Sequence, residues 1–402
     1  MTKRIAVLTQ SQYPVEVRAR RMAEACVADG YEVDVYCLQK PGEAAQELLS
    51  GVRVCRLPMF RRQGAPALTY IQEYLRFLLA VGSRLAGGRL RNRYDLIQVY
   101  NPPDLLAFAT LAPRLFHGAR IILDIRDVAP ELYMSRFGKG ASHPMTRLLR
   151  AQERLACGYA HAVTVCTTYV RDLLAGRGVD PKKMTVVMNC PDDTIFGPVA
   201  QGTTCDWSLG PQNEFRVVYH GGMLKRYGPD LLVKAAAQVA PRIPTLRVGI
   251  YGAGDFLPEV QASASEVNCR LGRPFVEVYG FVPTEAIPDV LAKADLGVVP
   301  MRADIFTDGL LPTKLMELAT AGVPAVVART FTTASYFSDN MVAYFKPGDV
   351  DDLAAKIYYL YSCPGYAQEL AQNARAFAER HNWAGEKANY LALVDRLIGV
   401  KV

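Results

Sequence analysis

The sequence lacks the cysteine spacings and the metal-binding motifs that indicate disulfide frameworks or metal sites. Its nine cysteines are odd in number and scattered, and no two form a CxxC pair. Several lie in apolar, strand-like runs, so we expect buried free thiols rather than disulfides or zinc ligands. The sequence also has no P-loop, HExxH or GxSxG motif. Its Asp-Asp pairs, at 192–193 and 351–352, lie in linker or helix-start context, and we expect neither a metal nor a bound cofactor.

Long apolar runs are also missing. No window approaches the roughly 20 apolar residues that cross a bilayer. The opening "MTKRIAVLTQSQYP" has only a short apolar run that ends at polar residues and proline, which predicts a first strand and not a signal peptide. We therefore expect a cytoplasmic protein. The turn after that strand has no glycine, which argues against an N-terminal NAD or FAD domain, and "YGAGDF" at 251–256 lacks the third glycine of the fingerprint and is interpreted as a tight turn.

Positive charge is concentrated in one segment. The net charge is +7, and residues 53–93 contain nine arginines against Glu73 alone. Between the arginines runs a helical pattern with Tyr70, Tyr74 and Phe77 close together. This pattern is typical of a helix on an anionic membrane surface. A core-packed helix between basic loops, or a nucleic-acid-binding stripe, is the alternative. Our hypothesis is peripheral attachment to the inner face of the plasma membrane through residues 53–93, without nucleic acid.

Strands and helices alternate in two series, which predicts two doubly wound parallel sheets. A stretch rich in Pro, Gly and Asp separates the series. We predict an N-terminal domain over 1–195, a linker over 196–214, a second domain over 215–380, and a C-terminal helix over 381–402 that packs back on the first domain. Two such domains facing each other would leave a ligand cleft at the carboxyl ends of their strands.

The stretch "GLLPTKLMELATAGVPAVVA" at 309–328 predicts a helix that ends at Gly322, followed by a buried strand. A helix N-terminus attracts anions, and Lys314 adds a full charge. Glu317 lies one turn deeper and could accept hydrogen bonds from ribose hydroxyls. The pattern therefore favours a nucleotide site, with a solvated helix face as the alternative.

Several motifs together resemble the retaining glycosyltransferases of family 4, which have the GT-B fold of two facing Rossmann-like domains. The resemblance spans nearly the whole chain. It is carried by "QVYNPPDLL", "ILDIRDVAPELY", "VVMNCPDDTIF", "VVYHGGMLKRYGPDLLVKA", "VEVYGFVPTEAIPDVLAKADLGVVP" and "LPTKLMELATAGVPAVVA". It implies transfer of a sugar from a UDP- or GDP-sugar to a lipid-linked or glycan acceptor, without a metal. The "RD" followed by "PE" resembles the subgroup that acts in bacterial surface polysaccharide assembly.

The resemblance also implies donor-binding residues. The family pattern places Gly221 and Gly222 near the donor phosphates, Arg226 and Lys314 on the diphosphate, Glu317 on the ribose, and the backbone of Val282 against the base. His220 is a candidate donor to sugar or phosphate, with a structural role as the alternative. The donor-binding set also includes residues 308 to 311, namely Asp308, Gly309, Leu310 and Leu311. Here the chain departs from the family, because Gly309 occupies the position of a glutamate that usually contacts the sugar. The neighbouring Asp308 is the candidate substitute for that glutamate.

In the first half, the same resemblance points to Asp127 as the group that interacts with the acceptor hydroxyl, with Arg126 and Glu131 shaping the site. Alternatively, these three residues form a structural ion-pair cluster at a strand end. Because Gly309 replaces the family glutamate, a non-catalytic GT-B module that binds a nucleotide sugar or carbohydrate is the second function we consider.

Overall fold

The computed structural model describes residues 2–60, 67–87, 93–196 and 214–399. The chain divides into two compact units. Unit 1 comprises residues up to Met188 together with those from Glu386 onward, and unit 2 comprises Asn189–Gly385. The predicted boundary at residue 195 falls later than this division. Most of the predicted linker, residues 197–213, lies outside the described residues.

Unit 1 is built on a parallel sheet whose inner strands are buried. Its strands are β1 (Arg4–Gln12), β2 (Glu32–Leu38), β3 (Gln46–Leu49), β4 (Val52–Leu57), β5 (Leu96–Tyr100), β6 (Arg120–Ile125), β7 (Ala162–Val165) and β8 (Met184–Val186). Its helices are α1 (Val17–Ala28), α2 (Ala67–Gly87), α3 (Leu111–His117), α4 (Ala129–Phe137), α5 (Pro144–Tyr159) and α6 (Thr168–Gly176), with 3-10 helices at Asp104–Thr110 and Pro181–Lys183.

The strand order in unit 1 is β3-β4-β2-β1-β5-β6-β7-β8. All neighbouring strands are parallel except β3 and β4, which pair antiparallel at the edge. The sequence analysis missed β3, because its four residues are mostly exposed and carry no buried apolar run. Connections run in opposite directions from β1 and β5, so the loops that follow these two strands flank a switch point, where open parallel sheets bind ligands.

A buried ion pair holds the carboxyl end of β6. The Arg18 guanidinium on α1 donates to both carboxylate oxygens of Asp124, at 2.9–3.1 Å, and to the Val187 carbonyl at 2.9 Å. Thr164 donates to the same carboxylate at 2.7 Å. Arg18 and Thr164 together bind both oxygens of the buried Asp124 carboxylate. They therefore fix the position of the strand end that precedes Arg126.

The C-terminal helix α14 (Trp383–Ile398) belongs to unit 1 from Glu386 onward. Its Tyr390 is fully buried, donates to the Gln98 side chain of β5 and lies 3.5 Å from the Cys26 thiol. Glu386 accepts from the Met188 amide at 2.9 Å. These contacts tie the end of the chain to the middle of the first sheet.

Unit 2 is a second parallel sheet, in the order β11-β10-β9-β12-β13-β14. Its strands are β9 (Phe215–His220), β10 (Leu246–Tyr251), β11 (Val276–Gly280), β12 (Leu296–Val299), β13 (Ala325–Ala328) and β14 (Ala343–Phe345). Its helices are α7 (Pro229–Val239), α8 (Leu257–Arg270), α9 (Ile287–Leu291), α10 (Thr313–Ala321), α11 (Phe331–Tyr336), α12 (Val350–Ser362) and α13 (Pro364–Arg380), with 3-10 helices at Lys225–Tyr227, Thr284–Ala286 and Thr307–Gly309.

Candidate active site

The switch point of unit 2 lies between β9 and β12, because β10 and β11 extend the sheet on one side and β13 and β14 on the other. Two segments meet at this edge of the sheet. One is the glycine loop that follows β9, and the other is the loop after β12 that leads into α10. The predicted donor residues on these two segments are therefore brought together by the topology of a single unit.

The glycine loop has no room for side chains. Gly221 has φ +115°, and a Cβ there would lie 3.1 Å from Cε and Nζ of Lys314. Behind the loop, a Cβ on Gly252 would lie 1.8 Å from the Gly221 carbonyl oxygen. Gly221 and Met223 donate to the Tyr251 and Ala253 carbonyls, both at 2.9 Å. The Gly-Ala-Gly turn, interpreted from sequence as only a tight turn, is thus the backbone support of the donor loop.

Lys314 places its ammonium group over the face of Tyr219, 3.9 Å from the ring centroid, and 5.5 Å from that of Tyr227. Its stem is partly exposed, but Nζ is buried and has no hydrogen-bond partner among the described residues. Burial lowers the pKa of Lys314 to about 7, and the charge of Glu317 opposes this shift only in part. An anion in contact with Nζ would raise this pKa again, because it would stabilise the charged form.

Helix α10 presents its N-terminus beside this lysine. Pro312 is the residue before the helix, and Gly322 ends the helix with φ +70°, as predicted. Asn189 donates to the Thr313 hydroxyl at 3.1 Å. The unpaired amides and dipole of this helix end add to the cationic character of the site.

Glu317 and His220 form a pair, with Oε2 of Glu317 2.6 Å from Nε2 of His220. His220 is the last residue of β9 and is almost fully buried. The imidazole therefore orients the carboxylate and leaves Oε1 for another donor. This contact favours the structural alternative for His220 over direct contact with sugar or phosphate.

The loop after β12 holds the predicted donor residues from 308 to 311. The Asp308 carboxylate accepts from the Phe331 amide at the start of α11, and burial raises its pKa although this hydrogen bond lowers it. Gly309 is buried and closes a 3-10 turn onto the Phe306 carbonyl at 3.1 Å. Asp308 is thus already engaged within the protein. Leu310 and Leu311 follow, both partly buried.

Arg226 and Val282 lie at the same edge of the sheet. The Arg226 guanidinium carbon is 5.3 Å from the centroid of the Phe306 ring. Val282 follows β11, whose last residue, Gly280, accepts from the Gly252 amide. The backbone around Val282 therefore lies beside the turn that supports the glycine loop.

In unit 1, the predicted acceptor residues Arg126 and Asp127 meet at Asn101, which follows β5 at the switch point. Asn101 Oδ1 accepts from the backbone amides of both residues, at 2.7 and 3.3 Å. Its Nδ2 donates to the Asp127 carbonyl at 2.7 Å and to Asp104 at 2.8 Å. Arg126 also forms an ion pair with Glu16, which follows β1. Burial opposes the charge on Arg126, but Glu16 and then Asp127 raise its pKa.

Glu131 does not join this group. It is 3% exposed and is bound by Arg177, which also donates to Glu153 at 2.9 Å. We therefore place Glu131 in a buried ion-pair cluster formed by α4, α5 and the residue that follows α6, and not beside Arg126 and Asp127. Asn101 and Glu16, which the sequence analysis did not select, contact Arg126 instead. "NPPD" was noted as a motif, but without any role for its asparagine.

The comparisons with known families match two successive parts of the chain. Residues 15–190 match a family model described as the glycosyl transferase 4-like domain, and residues 206–377 match glycosyl transferases group 1.

The chain belongs to the family 4-type glycosyltransferases with the GT-B fold.

Its relatives include a D-inositol 3-phosphate glycosyltransferase of Kribbella flavida, 27% identical over 92% of this chain and 86% of that protein. A GDP-mannose-dependent alpha-(1-6)-phosphatidylinositol monomannoside mannosyltransferase of Mycolicibacterium smegmatis is 28% identical over 42% of this chain and 44% of the relative. Among solved structures, the sucrose-phosphate synthase of Thermosynechococcus elongatus superimposes with a TM-score of 0.78 at 19% identity, covering 99% of this chain and 100% of that one.

In this glycosyltransferase, only some of the arginines of residues 53–93 are exposed and so could contact a membrane surface. Arg53 is paired with Asp34 at 2.6 Å, and Arg56 is buried against Glu43 and Glu47. Arg76 and Arg84 on α2 are exposed. Four more arginines of the segment lie outside the described residues: Arg61, Arg62, Arg89 and Arg91. Within the described ranges, no helix is long and apolar enough to span a bilayer.

Replacing Lys314 by methionine separates binding from stability. We expect Lys314→Met to lose at least tenfold in affinity for UDP or GDP, because it removes the buried cation. The free energy of unfolding should rise by about 1–4 kcal/mol, because an apolar side chain of similar length replaces a poorly solvated charge. Calorimetric titration and urea unfolding measure the two effects. Lys293→Met, a change at an exposed lysine just after α9, is the matched control.

The same lysine predicts a pH dependence. In the free protein Lys314 loses its proton above about pH 7, so nucleotide affinity should fall as pH rises from 7 to 9. At about pH 8, binding should take up close to one proton, measured by calorimetry in buffers of different ionisation enthalpy. Unchanged affinity and no proton uptake would contradict this role for Lys314.

Asn101→Ala tests the organisation of the acceptor turn. The change removes the side chain that holds the amides of Arg126 and Asp127. We expect transfer to an acceptor to fall by about 10²-fold, the scale of a small misplacement of reacting groups. Nucleotide affinity should be unchanged, because the donor residues lie in unit 2. A parallel loss of nucleotide binding would show instead that the variant is globally misfolded.

Proposed function

We propose that this glycosyltransferase moves a sugar from a UDP- or GDP-sugar, with retention of configuration, to a lipid-linked or glycan acceptor in the synthesis of bacterial surface polysaccharide or glycoconjugate. The observation that carries the proposal is the Lys314 ammonium, buried without a hydrogen-bond partner among the described residues, between the glycine loop and the N-terminus of α10. This environment is suited to a diphosphate.

The proposed chemistry relies on stabilising the leaving group. Lys314, Arg226 and the amides of α10 take up the charge that develops on the diphosphate as the bond from the sugar C1 to phosphate breaks. The acceptor oxygen forms its bond to C1 on the same face, and the leaving phosphate takes the acceptor proton. Glu317, oriented by His220, holds the ribose, and the backbone at Val282 faces the base. No metal is required in this scheme, because the two cations and the helix end supply the positive charge.

We assign the acceptor side to unit 1. Asp127 orients the acceptor hydroxyl, and Arg126, held by Glu16 and Asn101, fixes the turn. The relative named for phosphatidylinositol monomannoside supports a lipid-linked acceptor. We also propose that the protein works at the inner face of the plasma membrane, attached through the part of residues 53–93 that remains exposed.

One observation favours the second candidate, a module that binds a nucleotide sugar without turning it over. Gly309 offers no side chain to the sugar, and the Asp308 carboxylate is already held by the Phe331 amide. The side-chain contact that the family glutamate would make with the sugar is therefore not supplied by Gly309.

Release of UDP or GDP separates the two candidates. We expect one nucleotide to be released when a panel of sugar nucleotides is mixed with the protein and bacterial membrane extract, measured by coupled luminescence. Release should continue in EDTA and should fall at least 10²-fold in Glu317→Ala. Asp193→Ala, a change in the loop after β8, is the control. Tight donor binding without release would support the non-catalytic module. Loss of release in EDTA, restored by magnesium or manganese, would contradict the metal-independent scheme.

A further inference from the structure

A hollow on one face of the unit 2 sheet is not used by the chemistry above. It has a volume of about 640 Å³, with β9, β10 and β11 as its floor and α9 as one wall. Arg247, Gly249 and Tyr251 of β10 are half-buried, and Glu277 and Tyr279 of β11 are exposed. Parallel sheets are normally covered on both faces. This area, which the described residues leave uncovered, therefore indicates a binding surface.

Two tyrosine rings lie in the hollow at the carboxyl ends of their strands. Tyr251 on β10 and Tyr279 on the edge strand β11 stack with their ring centroids 4.6 Å apart and their planes 6° apart. The Tyr279 hydroxyl donates to the Glu277 carboxylate, and Tyr279 is 52% exposed. The stacking and the hydrogen bond fix the orientation of a ring that remains accessible. The hollow therefore contains a flat, fixed aromatic surface.

Gly249 makes room for this tyrosine pair. A Cβ at Gly249 would lie 2.8 Å from Cε2 of Tyr251 and 3.0 Å from its hydroxyl oxygen. Glycine in the interior of a strand weakens the strand, and it often marks a place where another group approaches the backbone closely. Here the group is the Tyr251 ring, which lies against its own strand. Any larger residue at this position would displace the ring.

Six charged residues line the hollow, and their charges cancel. The acidic residues are Glu214, Glu277 and Asp289, and the basic residues are Arg216, Arg247 and Lys293. Glu214 pairs with both arginines, at 3.2 Å to Arg216 and 2.9 Å to Arg247. The hollow therefore favours neither an anion nor a cation, which argues against a nucleotide or another phosphate as its occupant.

A saccharide has the chemistry that this surface fits. The face of a sugar ring carries polarised C–H groups, which pack on the negative face of an aromatic ring. Its hydroxyls both donate and accept hydrogen bonds, so they suit a rim of carboxylate acceptors and guanidinium donors. A lipid chain or an apolar peptide would instead desolvate these charged groups without replacing their hydrogen bonds with water.

We propose that this hollow is a second saccharide-binding site, in which a neutral glycan stacks on Tyr279 and is hydrogen-bonded by the charged rim. None of the residues that line the hollow is among the predicted donor residues. The volume lies within the range of about 300–1,000 Å³ that is usual for ligand sites. The bound glycan is then the chain that the enzyme extends. This role rests on the proposed function, whereas the binding of a saccharide does not.

Titration with neutral oligosaccharides, followed by saturation-transfer NMR, tests the site. The probes are maltohexaose, laminarihexaose and α-1,6-linked mannohexaose. At least one should bind the wild-type protein with a Kd in the millimolar range or below. Tyr279→Ala should weaken that binding about tenfold, because the stacking surface is lost. Tyr279→Phe should stay within about twofold of the wild type, because it keeps the ring.

Tyr359→Ala is the matched control for Tyr279→Ala. Tyr359 is 50% exposed and belongs to another tyrosine pair of unit 2, with its ring centroid 5.7 Å from that of Tyr366. It does not line the hollow. Its replacement should leave saccharide binding unchanged.

Gly249→Ala tests the seat of the tyrosine pair while keeping both rings. The new Cβ should displace the Tyr251 ring and weaken the same oligosaccharide several-fold. Gly365→Ala is the control, because a Cβ at this position in α13 would have no neighbour within 4 Å.

Four outcomes would overturn the site. The first is that none of the three oligosaccharides binds at millimolar concentration, and the second is equal binding by the wild type and Tyr279→Ala. The third is competition between the oligosaccharide and UDP or GDP, which would place the sugar in the donor site. The fourth is a different occupant. A wild-type dimer that Tyr279→Ala converts to monomer would identify a second copy of the chain. Binding that appears only when a Gly-Ser linker replaces residues 197–213 would identify that stretch.

UDP and GDP titrations of the same proteins keep this inference separate from the proposed function. Nucleotide binding that persists in Tyr279→Ala shows that unit 2 is folded, so a loss of saccharide binding is then assigned to the hollow. Saccharide binding by a wild-type protein that binds neither nucleotide would contradict the proposed function and the role of the glycan as the extended chain, while the saccharide site itself would stand.

Discussion

The donor site depends on one constraint, the close approach of a lysine ammonium to a bare backbone. A Cβ on Gly221 would lie 3.1 Å from Cε and Nζ of Lys314, which lies over Tyr219, and a Cβ on Gly252 would lie 1.8 Å from the Gly221 carbonyl oxygen. The two glycines therefore allow the loop and the lysine to approach closely. The result is a cation that is desolvated by its surroundings and lacks a neutralising hydrogen bond from the described residues. Such a group costs stability, and an anionic ligand compensates that cost.

Both units place their polar residues according to the same rule. In unit 2 His220 ends β9, the loop that follows carries Gly221, and the loop after β12 leads to Lys314. In unit 1 the loops after β1 and β5 carry Glu16 and Asn101, and Arg126 follows β6. In each unit the residues that bind one another come from loops on either side of a switch point. The rigid sheet sets the spacing of the strand ends, and the side chains at those ends supply the chemistry.

Features that depend only on residues near one another in the sequence could be predicted from it. The alternation of strands and helices, the end of α10 at Gly322 and the candidate cation Lys314 all follow from residue type and spacing. Pairing across the fold could not be predicted in this way. The burial of Glu131 against Arg177, the capture of His220 by Glu317, and the neutralisation of Arg53 by Asp34 depend on segments that are distant in sequence. Gly252 and Asn101 lie in motifs that the sequence shows, but their roles follow only from the backbone groups that they contact in the structure.

Hydrogen exchange measured by mass spectrometry, with and without saturating UDP or GDP, tests the central claim most directly, because it reports where the nucleotide acts without any mutation. Residues 220–228 and the first turns of α10, from Thr313 to Glu317, should become protected together, with lesser protection around 280–283. The strands of unit 1 should be unchanged. Protection confined to unit 1, or none at the glycine loop and α10, would contradict the assignment of the nucleotide site to Lys314 and its surroundings.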